Sequence, residues 1–305
     1  MRIYERLQPL LGDMNPDHIR GNVALSTALG LPELLTPETA GTIGDPETTV
    51  CIVNPGPSAR TEESLAALNA GVDGNGKPML IVLANAGYLM LERGLLRADA
   101  FVTNHPESAP AKLPGMGDRD LEYLVASMAP AGADPENPSI FELLAEKGRS
   151  VRLWHAHVDG GPDFGDGKVS VGTGSGAPVT ALALYSAMGY RRFRIYGMDG
   201  SSQYAVDLGD SKAMSDYLQG LKDNEMAVRV GRDTFTVTRD FWPQTLEVLK
   251  LVEAYPEAVR SLRFSGATAN AAIFNTPDGR PNMDFEVLDK PGSPKAFSAP
   301  SFPSP

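Results

Sequence analysis

Cysteine is nearly absent. Cys51 is the single one in 305 residues, so the chain can build neither a disulfide framework nor a cysteine zinc site. Its place inside an apolar run reads as a buried thiol that packs as a small hydrophobe. Long apolar runs are missing too: no charge-free stretch of about 18 residues occurs, and no membrane-spanning helix is expected. The opening "MRIYERLQPLLGD" scatters its charges and has no apolar centre, so it does not read as a signal peptide. Positive charge is scarce. Lys plus Arg number 27 against 38 Asp plus Glu, a net charge of -11 at pH 7, which argues against a broad basic face for nonspecific nucleic-acid binding. A P-loop is lacking as well: the pair Gly167-Lys168 has Pro162 where the first glycine belongs and Val169 where Ser or Thr belongs. The expectation is a soluble protein of a reducing, cytoplasmic compartment with no membrane partner.

What is present is an alternation. Strand-like runs, "VCIVN" (50–54), "MLIVLA" (79–84), "AFVT" (100–103), "EYLVAS" (122–127), "VRLWHA" (151–156), "KVSV" (168–171) and "FRIYGM" (193–198), are interleaved with helical patterns at 61–69, 86–93, 139–147 and 177–188. Apolar strands separated by helices predict an α/β, Rossmann-like fold, its mostly parallel sheet flanked by helices. Before it, "IYERLQPLLG" and "PDHIRGNVALSTALG" predict two short helices, the second capped by Asn15 with Pro16 at its first position. They form a helical N-terminal addition, a lid or dimer arm that leaves a homo-oligomer open. After Asp199 the pattern changes: "MAVRVGRDTFTVT" predicts a hairpin turning at Gly231, Arg232 and Asp233, followed by a helix over 241–254. The expected organisation is a helical segment and linker over 1–47, a Rossmann-like domain over 48–275, and a Pro/Ser-rich flexible tail over 276–305.

Four stretches carry candidate chemistry. In "VCIVNPGPSAR" a strand ends at Asn54, turns through Pro55, Gly56 and Pro57, and meets Ser58 where an N-cap would open the next helix. Backbone N–H groups and a hydroxyl there suit phosphate oxygens, and an ordinary capped turn would look the same. In "RLWHAHVDGG" period-2 geometry sends His155 and His157 to one side of a strand end, with Asp159 in the following turn. Such a group can act as acid or base, bind a metal, or sit half-buried on backbone partners. "AFVTNHPES" adds His105 and Glu107 after another strand. In "KVSVGTGSGAPVTALALYSAM" the residues Gly172, Thr173, Gly174, Ser175, Gly176 and Ala177 satisfy the dinucleotide pattern, with Asp199 closing the next strand. The short polar strand before it, Pro178 in the following helix and its late position in the chain all count against a dinucleotide site.

The strand with "NPGPSAR", the "LWHAHVDG" strand and the glycine-rich turn running into "ALALYSAMGYRRFRIYGMDGS" together resemble the MptE-like family. That family holds archaeal 6-hydroxymethylpterin diphosphokinases and motility-associated-factor glycosyltransferases, and is similar in fold to bacterial sialyltransferases. The form "GYRRFRIYGMDGS" resembles the branch carried by tailed phages and prophages, which would put the protein in a host cytoplasm. The resemblance spans roughly residues 48–250. It implies a Rossmann-like transferase with a nucleotide donor, ATP or a nucleotide-sugar, and Mg²⁺ as an optional companion. The family's G-x-G-P-S turn maps onto Asn54, Pro55, Gly56, Pro57 and Ser58, departing at the first two positions. The "HAHGDN"-like motif of the diphosphokinases maps onto His155, Ala156, His157, Val158, Asp159 and Gly160, with Val158 in place of a glycine. After "AFVT" the diphosphokinases carry an Asp-rich turn, where this chain has Asn104, His105, Pro106 and Glu107.

On this basis the donor is expected on Asn54, Gly56, Pro57, Ser58, the 172–176 turn and Asp199. His155, His157, His105 and Asp159 are the candidate acid–base groups, and Asp159, Asp199 and Glu107 the candidate metal ligands. The leading expectation is a diphosphokinase-like transferase moving an activated phosphoryl group to a small hydroxyl acceptor. A glycosyltransferase using a nucleotide-sugar, with a glycan, protein or modified base as acceptor, stands beside it. An NAD(P)-binding oxidoreductase and a non-catalytic phage accessory protein are the further alternatives.

Overall fold

Runs without a charged residue become strands buried on both faces. β2 (Thr49–Val53) and β4 (Ala100–Thr103) are buried at every position, as expected where helices cover both sides of a parallel sheet. The computed structural model describes residues 1–5, 7, 16–104, 120–131, 139–157, 164, 167–202, 205–207 and 211–290. With β1 (Arg2–Ile3), β3 (Met79–Ala84), β5 (Glu122–Ala126), β6 (Val151–His157), β7 (Ser170–Gly172), β8 (Arg192–Tyr196) and β12 (Ser261–Phe264), these strands form one nine-stranded sheet. Its order is β1-β7-β6-β5-β4-β3-β2-β8-β12, and every pairing in it is parallel.

The order records one reversal. From β2 to β7 the chain lays strands outward in one direction, then returns to place β8 on the other side of β2. The β2–β8 junction is therefore the topological switch point, whose crevice outside the carboxyl ends is where open α/β sheets bind ligands. The long return is made by α5 (Ala177–Met188), in which every residue from Pro178 to Met188 is buried. An all-round apolar helix of this kind belongs inside a core. α1 (Pro16–Ala28), α5, α7 (Trp242–Ala254) and α8 (Ala269–Phe274) contribute to the core on one face of the sheet. α2 (Glu62–Ala70), α3 (Leu89–Glu92) and α4 (Ile140–Glu146) contribute to the core on the other.

A second, antiparallel sheet has the order β13-β10-β11-β9, formed by β13 (Phe285–Leu288), β10 (Glu225–Val230), β11 (Asp233–Thr238) and β9 (Val206–Asp207), with α6 (Ser211–Gly220) between β9 and β10 in the chain. Met226, Val228, Phe235 and Val237 join it to the core of the first face. The hairpin turn is two residues, Gly231 and Arg232, because Val230 pairs with Asp233; Gly231 has φ 61°, which suits glycine in so tight a turn.

Three expectations change at the N-terminal half. Residues 2–3, expected as helix, pair instead with β7. Residues 32–34 also join the sheet: Leu34 N–H donates to Leu153 O at 2.7 Å and Leu153 N–H to Pro32 O at 2.8 Å. The helix α1 does begin at Pro16, packed by Ile19 and Val23 into the core, while Asn15 lies outside the described residues. Ser58 is not the cap of α2. That role belongs to Thr61, whose hydroxyl accepts from Ser64 N–H at 3.1 Å; Ser58 sits one turn earlier, in a single 3-10 turn over Pro57–Arg60. At the other end, residues 276–290 are ordered into a segment that carries β13, and the remainder of the expected tail lies outside the described residues.

Candidate functional site

At the switch point two strand ends interlock. Ser58 N–H donates to Asp199 Oδ2 at 2.7 Å, and Gly197 N–H donates to Ser58 Oγ at 3.0 Å. The same hydroxyl lies 2.9 Å from Ser265 Oγ, at the end of β12, and Asn54 Nδ2 donates to Gly197 O at 3.1 Å. Three glycines make this approach feasible. A Cβ on Gly56 would run into the Gly197 carbonyl, one on Gly197 into the Asn54 carbonyl, and one on Gly266 into Ser58; Gly197 and Gly266 also have φ of 74° and 79°, where only glycine is unstrained. Ser58 and Asp199 are buried, whereas Asn54, Gly56 and Pro57 reach the surface. The result is a rigid polar seam with one carboxylate, roofed by an accessible turn.

The glycine-rich turn stands at the far end of the same edge. β7 is five strand spacings from β2, roughly 24 Å at about 4.8 Å each. Ser175 gives both of its donors to the protein: its N–H and Oγ–H donate to Glu247 Oε2 of α7, at 2.9 and 3.0 Å. Each glycine makes room for another part of this chain. A Cβ on Gly172 would meet the Tyr4 carbonyl, one on Gly174 the side chains of Val179 and Glu247, and one on Gly176 the Gln244 side chain. Thr173 is buried as well. A carboxylate from α7 thus occupies the position a pyrophosphate would need at this turn. Burial raises the Glu247 pKa, and the two Ser175 hydrogen bonds offset part of that rise.

α7 and α8 tie the two turns together. Thr245 Oγ1 donates to Asn270 Oδ1 at 2.6 Å, and Asn270 Nδ2 donates to Met198 O at 2.7 Å, one residue before Asp199. Between the turns, Asn104 at the end of β4 donates to Thr180 Oγ1 of α5 at 3.1 Å.

The histidine strand divides its two residues by environment. His157 is half-buried at the end of β6. His155 is 1 % exposed, its ring tilted on Phe164 with centroids 4.5 Å apart, and neither ring nitrogen has a hydrogen-bond partner among the described residues. Glu33 Oε1 lies 3.7 Å from His155 Nε2 and is taken by the Lys168 ammonium. Burial lowers the His155 pKa from 6.5 to about 4, so the ring is neutral near pH 7. β6 is four spacings from β2, roughly 19 Å by the same measure.

His105, Glu107 and Asp159 lie outside the described residues. Among the described residues no group of three metal-ligating side chains occurs, and no helix is long and apolar enough to cross a membrane. Sequence reasoning missed Ser265, Glu247, Asn270 and Glu33. Ser265 carried a readable signal, since "SLRF" followed by Ser-Gly is a strand and turn. Glu247 carried none: it is one acidic residue in an otherwise ordinary helix, 72 positions from its partner.

No family model and no curated protein matches the chain. Among solved structures it is similar to a MAf glycosyltransferase from Magnetospirillum magneticum AMB-1, with a TM-score of 0.56 and 14 % identity. The match covers 85 % of this chain and 38 % of that one, so the chain spans well under half the length of the protein whose fold it shares.

Proposed function

We propose that the chain is a nucleotide-dependent transferase of the glycosyltransferase kind, moving a sugar from a nucleotide-sugar to a hydroxyl acceptor. The observation that carries this reading is the seam of Ser58, Asp199 and Ser265 at the topological switch point, the place where this class of sheet receives its ligand. The fold shared with a glycosyltransferase supports it. In this reading the donor lies over Asn54, Gly56 and Pro57, with Asp199 orienting it through the Ser58 turn. His157 ends a strand four spacings from this turn, so the acceptor's general base is not assigned to it. If Mg²⁺ travels with the donor, Asp199 is the described carboxylate beside it; such an ion commonly needs one or two carboxylates and neutralises diphosphate charge.

The diphosphokinase reading is placed second. Its support is the histidine strand, and against it the residue after β4 is Asn104, whose amide is spent on Thr180, where the resemblance calls for an acidic turn. An oxidoreductase is disfavoured because the glycine-rich turn is filled by Glu247, Gln244 and Tyr4. Thermal-shift measurements with CMP, UDP, a CMP-sugar, a UDP-sugar, ATP and NAD, each with and without Mg²⁺, test the proposal. A ligand at about 100 times its Kd stabilises by about 2.7 kcal/mol, so a pyrimidine nucleotide or its sugar is expected to raise Tm clearly. A shift with NAD alone, or with nothing, overturns the transferase reading.

A further inference from the structure

We propose that Arg60 is the side chain that receives the phosphoryl oxygens of the donor, an assignment that rests on the transferase reading and names how the site recognises its ligand. The turn over residues 54–60 has little backbone to offer an anion. Pro55 and Pro57 have no N–H, the Ser58 N–H is given to Asp199 at 2.7 Å, and the Ala59 N–H is given to Gly56 O at 3.1 Å. An oxyanion arriving there also meets the field of the Asp199 carboxylate, so a cation is needed to hold it.

One cation is in place. Among the described residues that follow the carboxyl ends of the sheet's strands, at 4–5, 54–61, 85–88, 104, 127–131, 173–176, 197–202 and 265–268, Arg60 is the single Arg or Lys. Its Nε donates to Pro55 O at 2.7 Å, which pins the guanidinium plane across the very turn the donor would cover. The residue is exposed, and its two Nη groups have no partner among the described residues. A guanidinium held by Nε and open at both Nη atoms presents the parallel donors that grip a phosphate in two places. Glu62 and Glu63 open α2 just beyond it, so an anion is drawn to the Pro55 side of Arg60 rather than along the helix. Recognition by one fork predicts a ligand ranking: diphosphate above monophosphate, and both well above the bare nucleoside.

Calorimetric titration of the full chain tests this, with UDP, CMP, uridine, cytidine and inorganic pyrophosphate as probes, at low and high salt. For Arg60→Gln the affinity for UDP, CMP and pyrophosphate is expected to fall about tenfold or more, as for loss of a hydrogen bond to a charged group. Nucleoside binding and Tm are expected to stay unchanged, and Arg60→Lys to recover part of the loss with a steeper salt dependence. Equal phosphate affinity in wild type and Arg60→Gln overturns the assignment and leaves the transferase reading standing. Pyrophosphate binding without nucleotide binding, lost in Arg60→Gln, supports Arg60 while overturning the nucleotide donor. A wild-type chain that binds none of the phosphate probes overturns both.

Discussion

The two ends of one sheet edge solve the same local problem in different materials. At the β2–β8 end a strand, a Pro/Gly turn and a helix place Ser58 N–H on the Asp199 carboxylate; at the β7 end a strand, a Gly-rich turn and a helix place Ser175 N–H on the Glu247 carboxylate. The first seam is walled by backbone: the carbonyls of Asn54 and Gly197 face Gly197 and Gly56. The second is walled mostly by the side chains of Val179, Glu247 and Gln244. Two turns that read alike in sequence therefore differ in rigidity and in position, one at the switch point and one five strands away. A glycine turn before a helix declares that its N–H groups face an anion, and leaves open whether that anion is a ligand or the protein's own carboxylate.

Adding a single methyl to each end breaks the comparison most directly. Gly56 has φ -65° and ψ 164°, a conformation open to any residue, so Gly56→Ala tests space alone. Its Cβ has a carbonyl in the way, and backbone at a strand end yields little; a loss of about 3–4 kcal/mol is expected in urea unfolding. Gly176→Ala meets only the amide end of Gln244, which can turn aside, and is expected to cost under about 1 kcal/mol. Equal losses at the two positions would show that the walls do not differ.

The parts of this architecture that the sequence declared are those written in local pattern. Buried apolar runs such as "MLIVLA" became strands over the expected residues, and "APVTALALYSAM" became the helix Ala177–Met188. Strand order is a different matter, because a parallel sheet places its neighbours through crossovers and nothing in "VCIVN" names β8 as its partner. The same holds for the site. Ser58 lies in the turn that follows β2, and its hydroxyl meets Gly197 and Ser265, 139 and 207 positions away, instead of capping the local helix. Arg2–Ile3 and residues 32–34 were invisible as sheet additions, since two- or three-residue pairings carry no period.

The β6–β7 end is expected to reveal itself in acid. His155 titrates near 6.5 when unfolded and at about 4 when folded, so between those values the unfolded chain binds the extra proton. Its contribution is complete above about pH 6.5 and is lost as pH falls toward 4, a swing of up to about 3 kcal/mol. His155→Phe, which keeps a ring against Phe164, should remove most of that slope. Denaturation midpoints at stepped pH measure it, and an unchanged slope would mean that the imidazole is solvated or paired.

A smaller effect is expected from the carboxylate of the switch point. Asp199→Ala leaves the buried Ser58 N–H without its acceptor, a loss of about 2 kcal/mol, and it should abolish nucleotide-induced stabilisation in the same thermal-shift series. Asp199→Asn retains an acceptor oxygen and should restore most of the stability without restoring the response to Mg²⁺. If both variants respond to nucleotide as wild type does, the ligand does not lie over this seam.

The least costly change is predicted for the matching carboxylate at the other end. Glu247→Gln keeps an amide oxygen for Ser175 and removes a charge whose burial raises its pKa above its ordinary 4.5. A raised carboxyl binds its proton more tightly in the folded chain, so wild-type stability is full below the unfolded value and declines as pH rises through the folded one. The variant escapes that decline. Relative to wild type it should gain as pH rises above the ordinary carboxyl value and end within about 1 kcal/mol of it, on the stable side. Because the Ser175 donors remain satisfied by the protein itself, nucleotide affinity should not change. A Glu247→Gln chain that loses nucleotide binding as fully as Asp199→Ala would make the two ends one site, with α7 as the strut between them.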